Sequence, residues 1–271
     1  MHQKQKDLQL QYEGFLKTPF LWHGKGVFDL TQFETPRSET APFTTVIKQK
    51  LRLGKLVERF VSNELQQYPS IEILAENIQI QNDKITLGEL DCLLLQNNAP
   101  IHLEIIYKFY LYDTTVGTTE IEHWIGPNRR DSFVQKLTKL KDKQLPLLYS
   151  EYCKKYLDNL NLAIKNIEQQ VYFKAQLFVP LKKYGEELPQ INNECICGFY
   201  INLQELRQFS NCKFYIPNKH NWLLEPYTHV DWLNFDNFNT KLDVFLNEQN
   251  APLCWLKKQN GTLIKFFVVW W

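Results

Sequence analysis

The sequence predicts an α/β chain of the α+β kind. A helical period runs from Leu51 to Gln67, three strand-like runs follow within residues 71–112, and helices and strands then mix to the C-terminus. The composition allows such a fold. Of 271 residues, 44% are hydrophobic and 14% aromatic against 23% charged, which is too apolar for a disordered chain. The 31 Lys and Arg balance 30 Asp and Glu to a net charge of +1. That balance excludes a protein that coats nucleic acid through bulk positive charge, though not a local basic site. There is no run of about 18 uncharged apolar residues to span a membrane. The start, MHQKQKDLQLQYEGF, lacks the apolar stretch of a secretory signal. A cytoplasmic protein with no membrane partner is the expectation.

The elements follow in order. A first helix is expected near residues 4–17, with Leu8, Tyr12, Phe15 and Leu16 on one side and Pro19 stopping it. Residues 31–44, rich in Thr, Pro and Ser, read as a loop. Leu53, Leu56, Val57, Phe60, Val61 and Leu65 give the second helix its three-and-four spacing, and Pro69 ends it. Ile71–Ile80 and Ile85–Leu95 flank Gln81-Asn82-Asp83 as a hairpin. After a turn at Asn97-Asn98-Ala99-Pro100 comes Ile101–Tyr112, dense in β-branched and aromatic residues. A polar loop over 113–127 precedes a helix, for which Asn128 reads as the cap and Asp131 as its reciprocal partner. Another helix is expected over roughly 150–168, then a strand over Val171–Val179. The tail should hold strands at 196–201 and 213–216, helices at 203–209 and 238–246, and a terminal hairpin. That hairpin pairs Leu253–Lys257 with Leu263–Val269, and its Asn260-Gly261 favours a type I′ turn.

Six cysteines mostly lie inside apolar runs, as buried free thiols do. The one close pair, Cys195 and Cys197, is spaced too tightly for a zinc knuckle and has no second pair to match it. A reduced compartment fits this usage. No Gly-x-Ser-x-Gly elbow, Gly-x-Gly-x-x-Gly turn or phosphate-loop lysine motif is present.

The chemistry-bearing candidates are polar residues inside apolar strands. Glu89 and Asp91 interrupt one strand, and Glu104 and Lys108 the next. Alternation puts 89 and 91 on one face, and 104, 106 and 108 on one face. An unpaired buried carboxylate costs several kcal/mol, so a cation, a lysine or exposure at a strand end must compensate. Two carboxylates converging from adjacent strands make the hard-oxygen site that Mg²⁺ prefers.

The stretches LGKLVERFVSNEL, ILAENIQIQNDKITLGELDCLLL, IHLEIIYKFYLY, WIGPNRRDSFVQKLTKLKDKQL and IKFFVVWW resemble, in family order, a family of uncharacterised bacterial proteins, domain of unknown function 1853. The order of Glu58, Asp91, Glu104 and a following lysine also resembles the PD-(D/E)XK nuclease superfamily. That resemblance implies a restriction-endonuclease-like core: a helix, a three-stranded meander, then helices and a further strand, with an α+β C-terminal extension. It implies a metal-dependent phosphodiesterase or nuclease, a hydrolase acting on nucleic acid with Mg²⁺ or Mn²⁺. Asp91 and Glu104 would hold the metal, Lys108 would orient or activate water, and Glu58 would complete the acidic cluster. Two positions depart from the pattern. Leu90 stands where a proline would precede the first acid, and Ile106 where the lysine would follow the second. Lys108 keeps the face but lies one strand repeat further on, about 6–7 Å. Glu89 is a further acid that could stand in for either carboxylate.

Residues 129–143 carry six basic side chains (Arg129, Arg130, Lys136, Lys139, Lys141 and Lys143) against Asp131 and Asp142, a local net of +4. Arg129, Arg130, Lys136, Lys139 and Lys143 are the candidates for contacting a phosphate backbone, and an ordinary solvated helix face is an equal alternative. Gln135 and Gln144 could add polar contacts near the site or simply face solvent. His102, on the face of Glu104, reads as a satisfied core histidine, and the tail tryptophans as packing. Asp91, Glu104 and Lys108 could also form a structural ion network. The alternative function is therefore a catalytically inactive nuclease-fold protein that binds nucleic acid or a protein partner, and behind it a purely structural protein. The expected division is 1–44 as helix and loop, 45–180 as the nuclease-like core, and 181–271 as an aromatic-rich region.

Overall fold

The computed structural model describes residues 2–35 and 42–271. Positions 36–41 of the expected 31–44 loop lie outside the described residues. Helix α1 (His2–Lys17) buries Tyr12, Phe15 and Leu16 and stops ahead of Pro19. Helix α2 (Leu53–Leu65) turns Leu56, Val57, Phe60, Val61 and Leu65 inward, with Ser62, Asn63 and Glu64 also buried near its C-terminus. Asn63 Oδ1 accepts from the Thr44 N–H, and Glu64 accepts from the Thr35 and Tyr172 hydroxyls, so these polar groups are satisfied.

Strands β1 (Ile71–Asn82), β2 (Ile85–Gln96) and β3 (Ala99–Tyr112) form an antiparallel meander. Asp83 at φ +51° opens the two-residue turn between β1 and β2. Asn97 and Asn98, at φ +50° and +66°, join β2 to β3. Two positive φ values in a two-residue loop are the type I′ signature, and asparagine tolerates them better than most residues.

The short strand β4 (Trp124–Ile125) pairs with the end of β3. Asn128 does not cap the following helix. The Gly126 N–H bonds to the Asp131 carbonyl and Ile125 bridges Ser132, so the chain loops back before the helix can begin. Asn128 instead accepts from the Ala251 N–H and donates to Asn250. Helix α3 (Phe133–Lys139) runs directly into a π-turn over Leu140–Gln144. The expected 150–168 helix is mostly absent, since only α4 (Lys154–Asn159) is α-helical there. Asn161, at φ +54°, ends it: the Leu162 N–H reaches back to the Leu157 carbonyl, a left-handed C-terminal cap.

Strand β5 (Glu168–Pro180) is longer than its apolar run. Strands β6 (Ile196–Asn202) and β7 (Lys213–Tyr215) are separated by a 3₁₀ turn at Glu205–Phe209, where an α-helix was expected. Helix α5 (Phe235–Asn247) is capped by Asn234, and β8 (Leu253–Lys257) and β9 (Leu263–Val269) form the expected hairpin. Its loop is not type I′. Gly261 is left-handed at φ +86° while Asn260 is not, and the Lys258 N–H bonds to the Thr262 carbonyl. That is a three-residue loop ending in a glycine bulge.

These elements make a mixed α+β fold divided into two units, neither continuous in sequence. One comprises residues 20–107 and 135–174 and is called the meander unit. It holds α2, β1, β2 and α4 and the adjoining parts of β3, α3 and β5, with a core of Ile80, Leu90, Leu93, Leu148, Cys153, Leu157 and Ile167. The other comprises residues 1–19, 108–134 and 175–271 and is called the terminal unit. Its strands run β5-β6-β9-β8-β7, parallel across β5-β6 and β6-β9 and antiparallel beyond. Helix α5 packs Phe238 and Leu242 on Phe214, Leu256 and Phe266, with the Phe214 and Phe238 rings stacked at 4.3 Å. Trp124 and Trp255 are fully buried, as packing residues are.

Candidate functional site

The register of the meander builds the site. Strand β2 pairs with β3 from Gln96↔Ala99 up to Cys92↔Leu103. One step further, the next position is Asp91 on β2 and Glu104 on β3. Here the ladder stops and the Asp91 side chain takes over: its Oδ2 accepts from the Ile105 N–H at 2.9 Å. Residues facing one another on an antiparallel pair project to the same side. The two carboxylates are therefore neighbours because the strands part where they do.

Glu104 is completely buried and held on both oxygens. His102 Nε2 lies 3.2 Å from Oε1, and Gln144 Nε2 donates to Oε2. Gln169 Nε2 meets His102 Nδ1 at 3.0 Å, which assigns the His102 proton to Nε2 and makes that nitrogen the donor to Glu104. Lys136 Nζ in turn donates to Gln144 Oε1 at 2.7 Å. The reach of that arm depends on the π-turn. In a regular α-helix, residues eight apart are about 80° out of line. The widened turn over Leu140–Gln144 takes up that rotation and brings Gln144 into line with Lys136.

Charge crowds at Asp91. Burial and the neighbouring Glu104 charge push its carboxyl up to about 7, and the Glu58 charge adds to this. The Ile105 N–H and Lys136 oppose the rise. Burial, with the Glu89 charge adding, also raises Glu58, and Lys55 pulls it back. Lys55 Nζ donates to Glu58 Oε2 at 2.9 Å, to Asn77 Oδ1 at 2.8 Å and to Glu89 Oε1. Asn77 stands at φ +54° inside β1, between the Glu76↔Cys92 and Ile78↔Leu90 pairs, the interval that holds Asp91 on β2. Asp91, Glu104, Glu58, Glu89, Lys55 and Lys136 all belong to the meander unit.

Lys108 falls in the terminal unit, where its ammonium donates to Asp131 at 2.7 Å. The basic stretch is divided as well. Arg129 and Arg130 lie in the terminal unit, where Arg129 pairs with Asp113 at 2.8 Å and lies over the Trp271 ring at 4.4 Å. Lys136 is half-buried in the meander unit, and Lys139 and Lys143 are exposed there.

Among the described residues, no group of three or more His, Cys, Asp or Glu side chains is placed to hold a metal ion. Asp91 and Glu104 nonetheless suit a hard divalent cation in kind. Their oxygens are the ligands Mg²⁺ takes, and water can complete its octahedron. Burial first, and then the Glu104 charge, raises the Asp91 carboxyl, and Lys136 opposes the rise only in part. Asp91 and Glu104 are the residues that would hold such an ion.

A family model described as a domain of unknown function, DUF1853, matches residues 21–269. The chain belongs to this family. The DUF1853 match contains every residue of the carboxylate cluster and both units' strands. Comparison with curated proteins and with solved structures found no match. No described helix of this DUF1853 chain is long and apolar enough to cross a membrane.

Sequence reasoning missed Lys55, Asn77 and Gln169. The only trace of Lys55 was its three-residue spacing to Glu58, the ordinary pattern of a surface helix pair. Asn77 and Gln169 gave none, because their partners lie on other elements.

Proposed function

We propose that this DUF1853 protein is a metal-dependent phosphodiesterase of the PD-(D/E)XK kind, with a restriction-endonuclease-like core, acting on nucleic acid. One observation carries the reading. Asp91 and Glu104 stand opposed where β2 and β3 part, with the Lys136–Gln144 arm reaching Glu104. Asp91 and Glu104 are the residues to hold Mg²⁺ or Mn²⁺, and Glu58 adds negative charge behind Asp91. A bound divalent cation supplies Lewis acidity to a phosphate and lowers the pKa of its water. The chain's own groups do the rest. Gln144 and His102 fix the Glu104 carboxylate, and the Ile105 N–H fixes Asp91. Lys136, which already acts electrostatically on Asp91, is the lysine placed to stabilise an anion beside it. Lys139 and Lys143, exposed on the same stretch, can meet a phosphate backbone.

The test is cleavage of single- and double-stranded DNA and RNA with Mg²⁺ or Mn²⁺ by wild type, Asp91→Asn and Glu104→Gln. Loss of at least about a hundredfold in both variants is expected for groups that hold the catalytic ion. Equal cleavage by all three rejects the reading. A second reading, a fold that binds nucleic acid or a protein without cutting, is favoured by the engagement of both Glu104 oxygens and by the Lys108–Asp131 pair. Metal-independent binding with no turnover would establish it.

A further inference from the structure

We propose that Lys55 is the built-in counter-ion of the carboxylate cluster, a positioning residue whose ammonium fills the place a second divalent cation would take and so limits the site to one. This rests on the reading of Asp91 and Glu104 as a cation site. An ammonium has three donors. Those of Lys55 are directed to oxygens from three different elements: Glu58 on α2, Asn77 on β1 and Glu89 on β2. Lys55 sits in the first turn of α2, ahead of Glu58, and is itself the most exposed of the charged trio. Its side chain is 45% exposed against 13% for Glu58 and 25% for Glu89. The carboxylates are fixed in the fold and the cation comes in from the solvent side.

Asn77 presents its side-chain oxygen to the same point from a left-handed backbone inside a strand. The oxygens around the ammonium are hard ligands of the type divalent cations use. The cluster is continuous in charge, since Asp91 also feels Glu58. Lys55 neutralises Glu58 and Glu89 with a covalently attached cation, and the pair left to take a divalent ion is Asp91 and Glu104, which Lys136 offsets only in part. An ordinary exposed ion pair would differ in one respect: its removal would leave the number of bound cations unchanged.

The experiment counts Mn²⁺ bound to the full chain, from the electron paramagnetic resonance signal of the free aquo ion. Wild type, Lys55→Met, Lys55→Gln and Lys55→Arg are compared, each checked for fold by circular dichroism. One ion is expected for wild type and Lys55→Arg. Two are expected for Lys55→Met and Lys55→Gln, with dipolar broadening between them. The Gln variant keeps a hydrogen-bond donor without charge and covers the case in which Lys55→Met fails to fold. One ion in every protein overturns the counter-ion role while leaving the Asp91–Glu104 site standing. No ion bound to wild type overturns both.

Discussion

Asp91→Asn is expected to stabilise the metal-free protein at alkaline pH, because it replaces a buried ionisable side chain with a neutral one of the same shape. The ordinary carboxyl value is 3.8, and burial beside Glu104 raises Asp91 to about 7 in the folded chain. Below pH 4 the group is protonated in both states and contributes nothing. As pH rises through about 4 the unfolded chain ionises and the folded one does not, so stability falls. The loss is complete above about 7, where the folded group ionises as well. About three pH units at 1.36 kcal/mol each give a ceiling of roughly 4 kcal/mol, and partial exposure screens some of it. Asparagine retains an acceptor for the Ile105 N–H, so the geometry survives. Urea unfolding in EDTA at pH 5, 6, 7 and 8 should show the variant gaining on wild type with each step, by about 2–4 kcal/mol at pH 8. Added Mg²⁺ should restore wild type and leave the variant unchanged. A variant that is less stable than wild type at pH 8, or a difference that ignores pH, would show instead that Asp91 belongs to a structural ion network.

Lys136→Met removes the positive charge that opposes the rise at Asp91, so the Asp91 carboxyl should titrate at still higher pH by NMR. Any Mg²⁺-dependent cleavage should fall by about a hundredfold or more. Gly198→Ala would place a Cβ 2.1 Å from the Lys265 backbone oxygen on the neighbouring strand, which cannot step aside. A loss of about 3 kcal/mol is expected, read as a fall in Tm. All six cysteines are free thiols. Cys92 and Cys254 are buried, and burial pushes both well above the usual thiol range. They should ignore a disulfide reagent at pH 8 in the native protein and react once guanidinium unfolds it.

The meander was legible because its signals are local. Apolar runs, two turns rich in Asn and Asp, and alternation are enough to put Asp91 and Glu104 on adjoining strands. Their opposition at the point where the strands part was not legible, since register depends on a turn length that sequence fixes only loosely. The reach of Lys136 through Gln144 was hidden for another reason: it needs a π-turn, and nothing in LKDKQ marks one. The failed 150–168 helix shows the converse. The apolar spacing of Tyr156, Leu160 and Ile164 was real, but Asn161 took the left-handed conformation and broke the run. Asn128 looked like a cap by residue type, and a loop closed by backbone bonds put it to other use.

The division of the chain also sets an order of events during synthesis. Every residue of the meander unit has emerged once position 174 clears the ribosomal exit tunnel, so its carboxylate cluster can close before residues 221–223 emerge. The terminal unit cannot. Its first piece, α1, rests against the backbone at Leu223, and Gln11 bonds to Asn221, 210 residues away. Until those residues emerge, α1 lacks both its backing at Leu223 and the Asn221 partner of Gln11. The earliest part of the chain to be made is thus among the last to be sheltered. A nascent chain stalled short of residue 220 should expose that helix to chaperones and proteases while holding a meander unit already folded.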